Sequence, residues 1–134
     1  MIEYQKKEFT DNEIFEILHP LVSTWFKKKF GKFSLPQKFA VMNCHLKENT
    51  LVSAPTGSGK TLSAFLAILN ELISLNDSDK LEDKIYCVYV SPLKALNNDI
   101  EKNLKEPLQE MQDLVETKLK EQKKFTKSKL KKKL

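Results

Sequence analysis

Residues 54–61 read Ala54-Pro55-Thr56-Gly57-Ser58-Gly59-Lys60-Thr61 and lie between a short β-type run and a long apolar helix. Gly57 and Gly59 permit backbone conformations that are closed to other residues, so that amides can approach phosphate oxygens closely. The start of the following helix and its dipole also favour a polyanion. Lys60 adds a positive charge for the β and γ phosphates, and the Thr61 hydroxyl is the expected Mg²⁺ ligand. The stretch therefore predicts a loop that binds a nucleoside triphosphate.

The flanking segments alternate between strand and helix patterns. Residues 50–53 form a short β-type run before the loop, and residues 62–75 are apolar on nearly every face of a helix. After a polar connector, residues 85–90 form a continuous β-rich run, which is typical of a strand covered on both faces. Ser91 and Pro92 then supply a helix cap and a first-turn proline. This order predicts an α/β domain with parallel strands and crossover helices. The alternative is that the loop is a Gly-Ser turn followed by a chance Lys-Thr pair. It does not explain why a strand pattern, the loop and an apolar helix occur in this order.

The N-terminal region predicts helices only. Thr10 and Glu13 have the spacing of a capping box, and apolar residues follow at helical period to about Lys29. His19-Pro20 is expected to kink or break this segment, which gives one helix or a pair of short ones. Pro36 is expected in the first turn of the next helix, where its missing amide proton is not needed.

The charges are divided unevenly along the chain. Residues 118–134 contain nine Lys and one Glu, a balance of 9 − 1 = +8, whereas residues 1–117 contain fourteen Lys and seventeen acids, a balance of 14 − 17 = −3. The folded part therefore has no overall basic character that alone argues for nucleic acid. Every one of the 23 basic residues is Lys, so the chain cannot supply an arginine finger.

The remaining composition predicts a reduced, cytoplasmic protein. Cys44 and Cys87 have no metal-binding or redox spacing and are interpreted as reduced core or boundary residues. No apolar stretch approaches the roughly 20 residues that span a bilayer, so we expect no membrane association.

Three segments together resemble superfamily 2 ATP-dependent helicases. Ala54 stands where the general phosphate-binding pattern has Gly, which is the form of the loop used by these helicases. The segment Phe33-Ser34-Leu35-Pro36-Gln37 resembles their Q motif. The segment Ser91-Pro92-Leu93-Lys94-Ala95-Leu96 resembles motif Ia of the Lhr-type (large helicase-related) helicases. The resemblance covers roughly residues 11–115.

This resemblance implies a truncated RecA-like P-loop NTPase domain with ATP and Mg²⁺ as its cofactors. Gln37 is then expected to pair with adenine, because an amide offers one donor and one acceptor. The loop residues that would hold the triphosphate are Ala54, Thr56, Gly57, Ser58, Gly59, Lys60 and Thr61, with Thr61 as the metal ligand. The motif Ia residues that would contact the backbone of a single DNA or RNA strand are Ser91, Pro92, Leu93 and Lys94. Without the resemblance, Gln37 is a helix-surface residue and Ser91 a helix cap without a ligand.

Two parts of a complete helicase motor do not occur in the sequence. No Asp-Glu-x-His type motif follows Leu96, and no Arg is present to stabilise the transition state. We therefore assign no catalytic residue and expect no hydrolysis by the chain alone. Residues 1–117 are interpreted as the N-terminal portion of a RecA-like domain that is interrupted near residue 115, with its other lobes encoded separately. Residues 118–134 are expected to be a Lys-rich, disordered or frayed tail. A non-enzymatic module that binds ATP or nucleic acid and an unrelated short P-loop NTPase remain open as alternatives.

Overall fold

The regular structure of the chain is helical throughout the residues that the computed structural model describes, which are 1–91, 98 and 100–133. The α-helices within them are α1 (Asp11–Ile17), α2 (Pro20–Lys29), α3 (Leu35–His45), α4 (Lys60–Asp77) and α5 (Glu106–Lys133). A π-helical segment, Glu101–Lys105, directly precedes α5.

Local sequence signals account for the first helix boundaries. The amide of Glu13 donates to the Thr10 hydroxyl at 3.2 Å, and the Thr10 amide donates to the Glu13 carboxylate at 3.4 Å, which confirms the predicted capping box. The break between α1 and α2 falls at the predicted site, because Pro20 is the first residue of α2. His19 caps α2 by accepting a hydrogen bond from the Leu21 amide at 3.1 Å.

The core lies where α1, α2, α3 and α4 meet. Phe26 and Phe33 stack with their ring centroids 4.2 Å apart and their planes at 17°, so the loop between α2 and α3 is fixed by aromatic packing. The buried apolar residues of this cluster are Ile14, Leu18, Val22, Trp25, Phe26, Phe33, Val41, Leu62, Leu66, Leu69 and Met111. Helix α4 is packed on several sides, as predicted, because it also buries residues outside this cluster, namely Ser63, Phe65, Ala67 and Asn70.

One buried polar residue joins α4 to the α1–α2 junction. Asn70 is 3% exposed, and its side-chain oxygen accepts a hydrogen bond from the His19 amide at 2.5 Å. Its amide nitrogen donates to the Ile17 carbonyl at 3.2 Å. Asn70 thus satisfies backbone groups that the break between the two helices leaves unpaired.

The predicted parallel strands are not found in the described part of the chain. Residues 50–53 and 85–90 have no regular secondary structure and belong to no β-ladder, and Leu51, Ile85 and Val90 are 87%, 83% and 84% exposed. The prediction of an α/β fold is therefore not confirmed. The physical reason is that a parallel pair is stable only within a larger sheet that is covered on both faces, and two such segments provide neither the neighbours nor the cover.

Helix α5 is attached to the core at its N-terminal end. Pro107 and Met111 are buried, and the Glu110 carboxylate accepts hydrogen bonds from Trp25 Nε1 at 2.5 Å and Lys29 Nζ at 2.7 Å. Burial acts to raise the pKa of Glu110, but the hydrogen bonds from Lys29 and Trp25 and the charge of Lys29 hold it below its ordinary value. The two contacts fix α5 against α2.

The C-terminal part of α5 covers the segment for which the sequence predicts disorder or a frayed helix, and that expectation stays a prediction. It continues as helix to Lys133, and every residue from 115 to 132 is exposed. The domain boundary at residue 117 stays a prediction. No helix among the described residues is both long enough and apolar enough to cross a bilayer.

Candidate nucleotide-binding loop

The loop at residues 54–61 turns the chain directly into α4. Gly57 and Gly59 have φ angles of +79° and +88°, in the left-handed region that the motif was expected to require. Gly59 is the N-cap of α4, and the first bond of the helix runs from the Ser63 amide to the Gly59 carbonyl at 3.3 Å. The amides of Lys60, Thr61 and Leu62 precede that bond, so the positive end of the helix dipole lies at the loop.

Ser58 gives the loop its internal rigidity. Its amide and its hydroxyl both donate to the Pro55 carbonyl, at 3.2 Å and 2.6 Å. This closes a tight turn around Thr56 and Gly57, both of which are exposed. The tip of the loop is therefore accessible while its base is held by hydrogen bonds.

Lys60 and Thr61 occupy the first turn of α4. The ammonium of Lys60 donates to the Ala54 carbonyl, so this side chain folds back across the loop. Thr61 is exposed, which leaves its hydroxyl accessible from outside the helix. A hydroxyl oxygen beside a helix N-terminus is chemically suited to Mg²⁺ held together with phosphate oxygens. Within the described residues, no group of three or more His, Cys, Asp or Glu side chains could hold a metal by itself.

Gln37 lies against the loop and not on the helix surface. It is 5% exposed; its Nε2 donates to the Gly59 carbonyl at 3.3 Å, and its Oε1 accepts from the Ser34 amide at 2.9 Å. Both ends of the amide are thus engaged by the protein. For Gln37 to pair with adenine as predicted, it has to exchange at least one of these bonds for the base.

Ser34 is a contact residue that sequence reasoning missed. Its hydroxyl donates to the Ser58 carbonyl at 2.7 Å and so ties the start of α3 to the loop. The signal was available, because Ser34 and Gln37 have the spacing of a capping box, and the Ser34 amide donates to Gln37 Oε1 at 2.9 Å as in such a box. The box aims the Gln37 amide at the loop.

The side chains of Ser34 and Gln37 lie close to the backbone of Gly59. A β-carbon added there would overlap Gln37 Nε2 and would lie 3.1 Å from both Gln37 Cδ and Ser34 Oγ. A β-carbon at Gly57 would meet no heavy atom within 4 Å. The two glycines therefore have different roles. Gly59 permits Gln37 and Ser34 to pack against the loop backbone, whereas Gly57 leaves the space beside the loop tip unoccupied.

The predicted nucleic-acid contacts are only partly described. Ser91 is half-buried and directly follows the run at residues 85–90. Pro92, Leu93 and Lys94 lie outside the described residues, so the structure does not relate motif Ia to the loop.

Comparison with known proteins gives one family and several long relatives. The family model for DEAD/DEAH box helicases matches residues 34–133. The chain is 60% identical over 114 residues to the ATP-dependent helicase Lhr-Core protein 2 of Thermococcus barophilus, and 59% identical over 113 residues to the ATP-dependent helicase Lhr-Core of Methanocaldococcus jannaschii. These alignments cover 85% and 84% of this chain. They cover 13% of each relative, so the chain spans about an eighth of the length of these proteins.

A more distant relative extends the same pattern. The Lhr helicase/uracil glycosylase of Escherichia coli is 35% identical over 102 residues, which is 73% of this chain and 7% of that protein. No solved structure matches the chain. The alignments thus join this chain to one short part of much longer proteins.

Proposed function

The chain belongs to the DEAD/DEAH box helicase family, and from this premise we propose that it is the ATP-binding, nucleic-acid-binding segment of an Lhr-type ATP-dependent helicase. The family match confirms the resemblance predicted from the motifs and implies a RecA-like domain. The observation that carries the proposal is the junction of the loop with α4. There, two glycines with positive φ lead into a helix whose first residues are Lys60 and Thr61.

In this proposal the loop binds the triphosphate of ATP, and ATP brings Mg²⁺ with it. The free amides at the start of α4 donate to phosphate oxygens, because they have no acceptor within the helix. Lys60 leaves the Ala54 carbonyl and neutralises the β and γ phosphates. Thr61 would contribute a hydroxyl oxygen to the Mg²⁺ that accompanies the triphosphate.

Gln37 and motif Ia supply the remaining contacts. Gln37 reads the adenine edge after it releases Ser34 or Gly59, so binding of the base is coupled to the contact between α3 and the loop. Ser91, Pro92, Leu93 and Lys94 contact the backbone of a single nucleic-acid strand, to which Lys94 contributes a positive charge.

We propose that the chain binds ATP without hydrolysing it on its own. Its sequence contains neither an Asp-Glu-x-His type motif after Leu96 nor any Arg, and hydrolysis in this family requires both kinds of group. This composition also favours the second candidate, a binding module without turnover. Steady-state phosphate release by the purified chain, at saturating Mg-ATP and nucleic acid, would contradict the absence of hydrolysis.

Replacement of Lys60 tests the proposal. Lys60→Ala should weaken Mg-ATP binding by about 100-fold, because two charge-assisted hydrogen bonds to phosphate contribute about 1.5 kcal/mol or more each. Isothermal titration calorimetry measures the affinity, and circular dichroism checks the fold. The matched control is Lys105→Ala, which removes an exposed lysine paired with Glu101 at 3.4 Å and should leave the affinity unchanged. Unchanged ATP affinity in Lys60→Ala would defeat the assignment, and equal affinity for GTP would favour a different P-loop NTPase.

A further inference from the structure

The exposed end of α5 carries the net positive charge of the chain. Residues 118–134 have a balance of +8, against −3 for the rest of the sequence. The structure places this charge on a helix, with residues 115–132 exposed. A helix arranges its charges in a fixed order around its axis, so their positions follow from the sequence spacing.

Four of the lysines share one face of α5. Lys120, Lys124, Lys127 and Lys131 are separated by four, three and four residues, which keeps them within about 60° of one another around the axis. They extend over about 16 Å at a rise of 1.5 Å per residue. We refer to these four residues as the basic face. Lys118, Lys129 and Lys132 lie on the other side of the helix, and Lys129 contacts the ring of Phe125, with Nζ 4.7 Å from its centroid.

The charges of the basic face are not neutralised in the described part of the chain. None of its lysines lies within 4.0 Å of a carboxylate oxygen there, although lysines elsewhere in that part form several such ion pairs. Residues 118–134 contain one acidic residue, Glu121, and it lies outside the basic face. The face therefore attracts anions over its whole length.

The basic face is joined to the folded core through the other end of the same helix. Glu110 is held by Trp25 and Lys29 of α2, and Met111 is 2% exposed. Because one helix connects these anchors to the lysines, the face has a defined direction relative to α2. A disordered Lys-rich tail would have no such direction.

We propose that the basic face binds the phosphate backbone of a nucleic-acid strand, as a second nucleic-acid surface separate from motif Ia. The charge complementarity carries this inference: 16 Å of the face corresponds to about five phosphates at 3.4 Å per nucleotide along one strand. The choice of nucleic acid among polyanions rests on the proposed function. An anionic membrane fits less well, because a helix that lies on a membrane needs one continuous apolar face. On α5, Phe125 lies about 120° or more around the axis from Leu119 and Leu130.

Two triple variants that remove equal charge test the face. Lys124→Gln/Lys127→Gln/Lys131→Gln removes three charges from the basic face, and Lys118→Gln/Lys129→Gln/Lys132→Gln removes three from the other side. Lys and Gln have similar helix propensities, so circular dichroism should show the same helix content in both. The full chain is titrated with a labelled single-stranded DNA oligonucleotide over a series of NaCl concentrations, and binding is followed by fluorescence anisotropy.

The face variant should lower the slope of log affinity against log salt by about 2, because each phosphate contact on a single strand contributes about 0.7. This corresponds to about a 100-fold loss of affinity at 0.1 M salt. The control triple should change the slope by less than about 0.7. Equal losses of affinity in the two variants would overturn the inference, since they would show that binding depends on the total charge of the segment and not on one face of α5.

The same chains separate this inference from the proposed function. If the face variant loses oligonucleotide affinity while Mg-ATP binding in calorimetry is unchanged, the inference is supported independently of the loop. If neither triple changes oligonucleotide binding but the chain binds Mg-ATP, the inference fails and the proposed function stands. Binding to phosphatidylserine vesicles that depends on the face, with oligonucleotide binding unaffected, would also overturn it.

Discussion

Substitution of Gly59 by alanine tests how α3 and the loop are coupled. The new β-carbon would overlap Gln37 Nε2 and approach Ser34 Oγ to 3.1 Å, at a residue whose φ is +88°. Gln37 cannot move away without cost, because it is 5% exposed and both ends of its amide are hydrogen-bonded. Gly59→Ala is therefore expected to destabilise the fold in two ways: it places an alanine in the left-handed region, and it displaces the Gln37 side chain.

The magnitude follows from these two contributions. The left-handed conformation costs an alanine about 1–2 kcal/mol. Displacing Gln37 breaks its bonds to Ser34 and to the Gly59 carbonyl, at about 1 kcal/mol each. The free energy of unfolding should thus fall by about 3–4 kcal/mol. Gly31→Ala is the matched control, because Gly31 has φ +79° and a β-carbon added there would meet no heavy atom within 4 Å, so only the first contribution applies.

Urea denaturation followed by the fluorescence of the single tryptophan, Trp25, measures these values. Gly57→Ala should resemble Gly31→Ala in stability, since its β-carbon also meets open space, but it should lose Mg-ATP affinity if the loop tip receives phosphates. In a Gln37→Ala background, Gly59→Ala should cost only about 1–2 kcal/mol, because the overlap with the Gln37 amide is removed and the Ser34 hydroxyl can rotate away from the new β-carbon. Equal destabilisation by Gly59→Ala and Gly31→Ala would refute the reasoning.

Two further substitutions test contacts outside the loop. Asn70→Ala should lower the free energy of unfolding by about 2–4 kcal/mol in urea denaturation, because it leaves the His19 amide and the Ile17 carbonyl unpaired. Glu110→Gln tests the effect of a carboxylate whose pKa lies below its ordinary value. The ionised Glu110 stabilises the fold at pH values above the ordinary carboxyl pKa, and this stabilisation is lost as the pH falls and the carboxylate is protonated. The wild type should therefore exceed Glu110→Gln in stability at pH 7, the difference should shrink below about pH 4, and Trp25 emission should change with it.

Each of these substitutions has a control on the same helix. Asn76→Ala removes an exposed asparagine of α4 and should change stability by less than about 0.5 kcal/mol. Glu116→Gln removes an exposed carboxylate of α5 and should leave the pH dependence unchanged. A cost below about 1 kcal/mol for Asn70→Ala, or a pH profile that Glu110→Gln does not alter, would contradict the roles assigned to these residues.

The features that could be predicted from sequence are those set by a few neighbouring residues. The capping box at Thr10, the break at Pro20 and the placement of Pro36 in the first turn of α3 depend on local hydrogen bonds and on the missing proline amide proton. The positive φ angles of Gly57 and Gly59 belong to the same class, because the motif requires that backbone.

The features that could not be predicted depend on distant parts of the chain. The run at residues 85–90 has strand composition, but its pairing requires neighbours that the local pattern does not specify, and the described residues show none. Helical periodicity likewise gives no reason for Asn70 to meet His19, which lies 51 positions earlier. The burial of Gln37 against Gly59 also arises from tertiary packing, whereas the sequence assigned Gln37 to adenine and specified no contact with Gly59.

The exposed run at residues 85–90 has a consequence for handling the isolated chain. Ile85, Val88 and Val90 are 83%, 76% and 84% exposed, and the run contains neither a charge nor a proline. Six-residue segments of this kind stack between molecules into cross-β fibrils. At high protein concentration, electrostatic repulsion between molecules from Lys84 and the basic C-terminal residues opposes aggregation through this run. That repulsion weakens as salt is added.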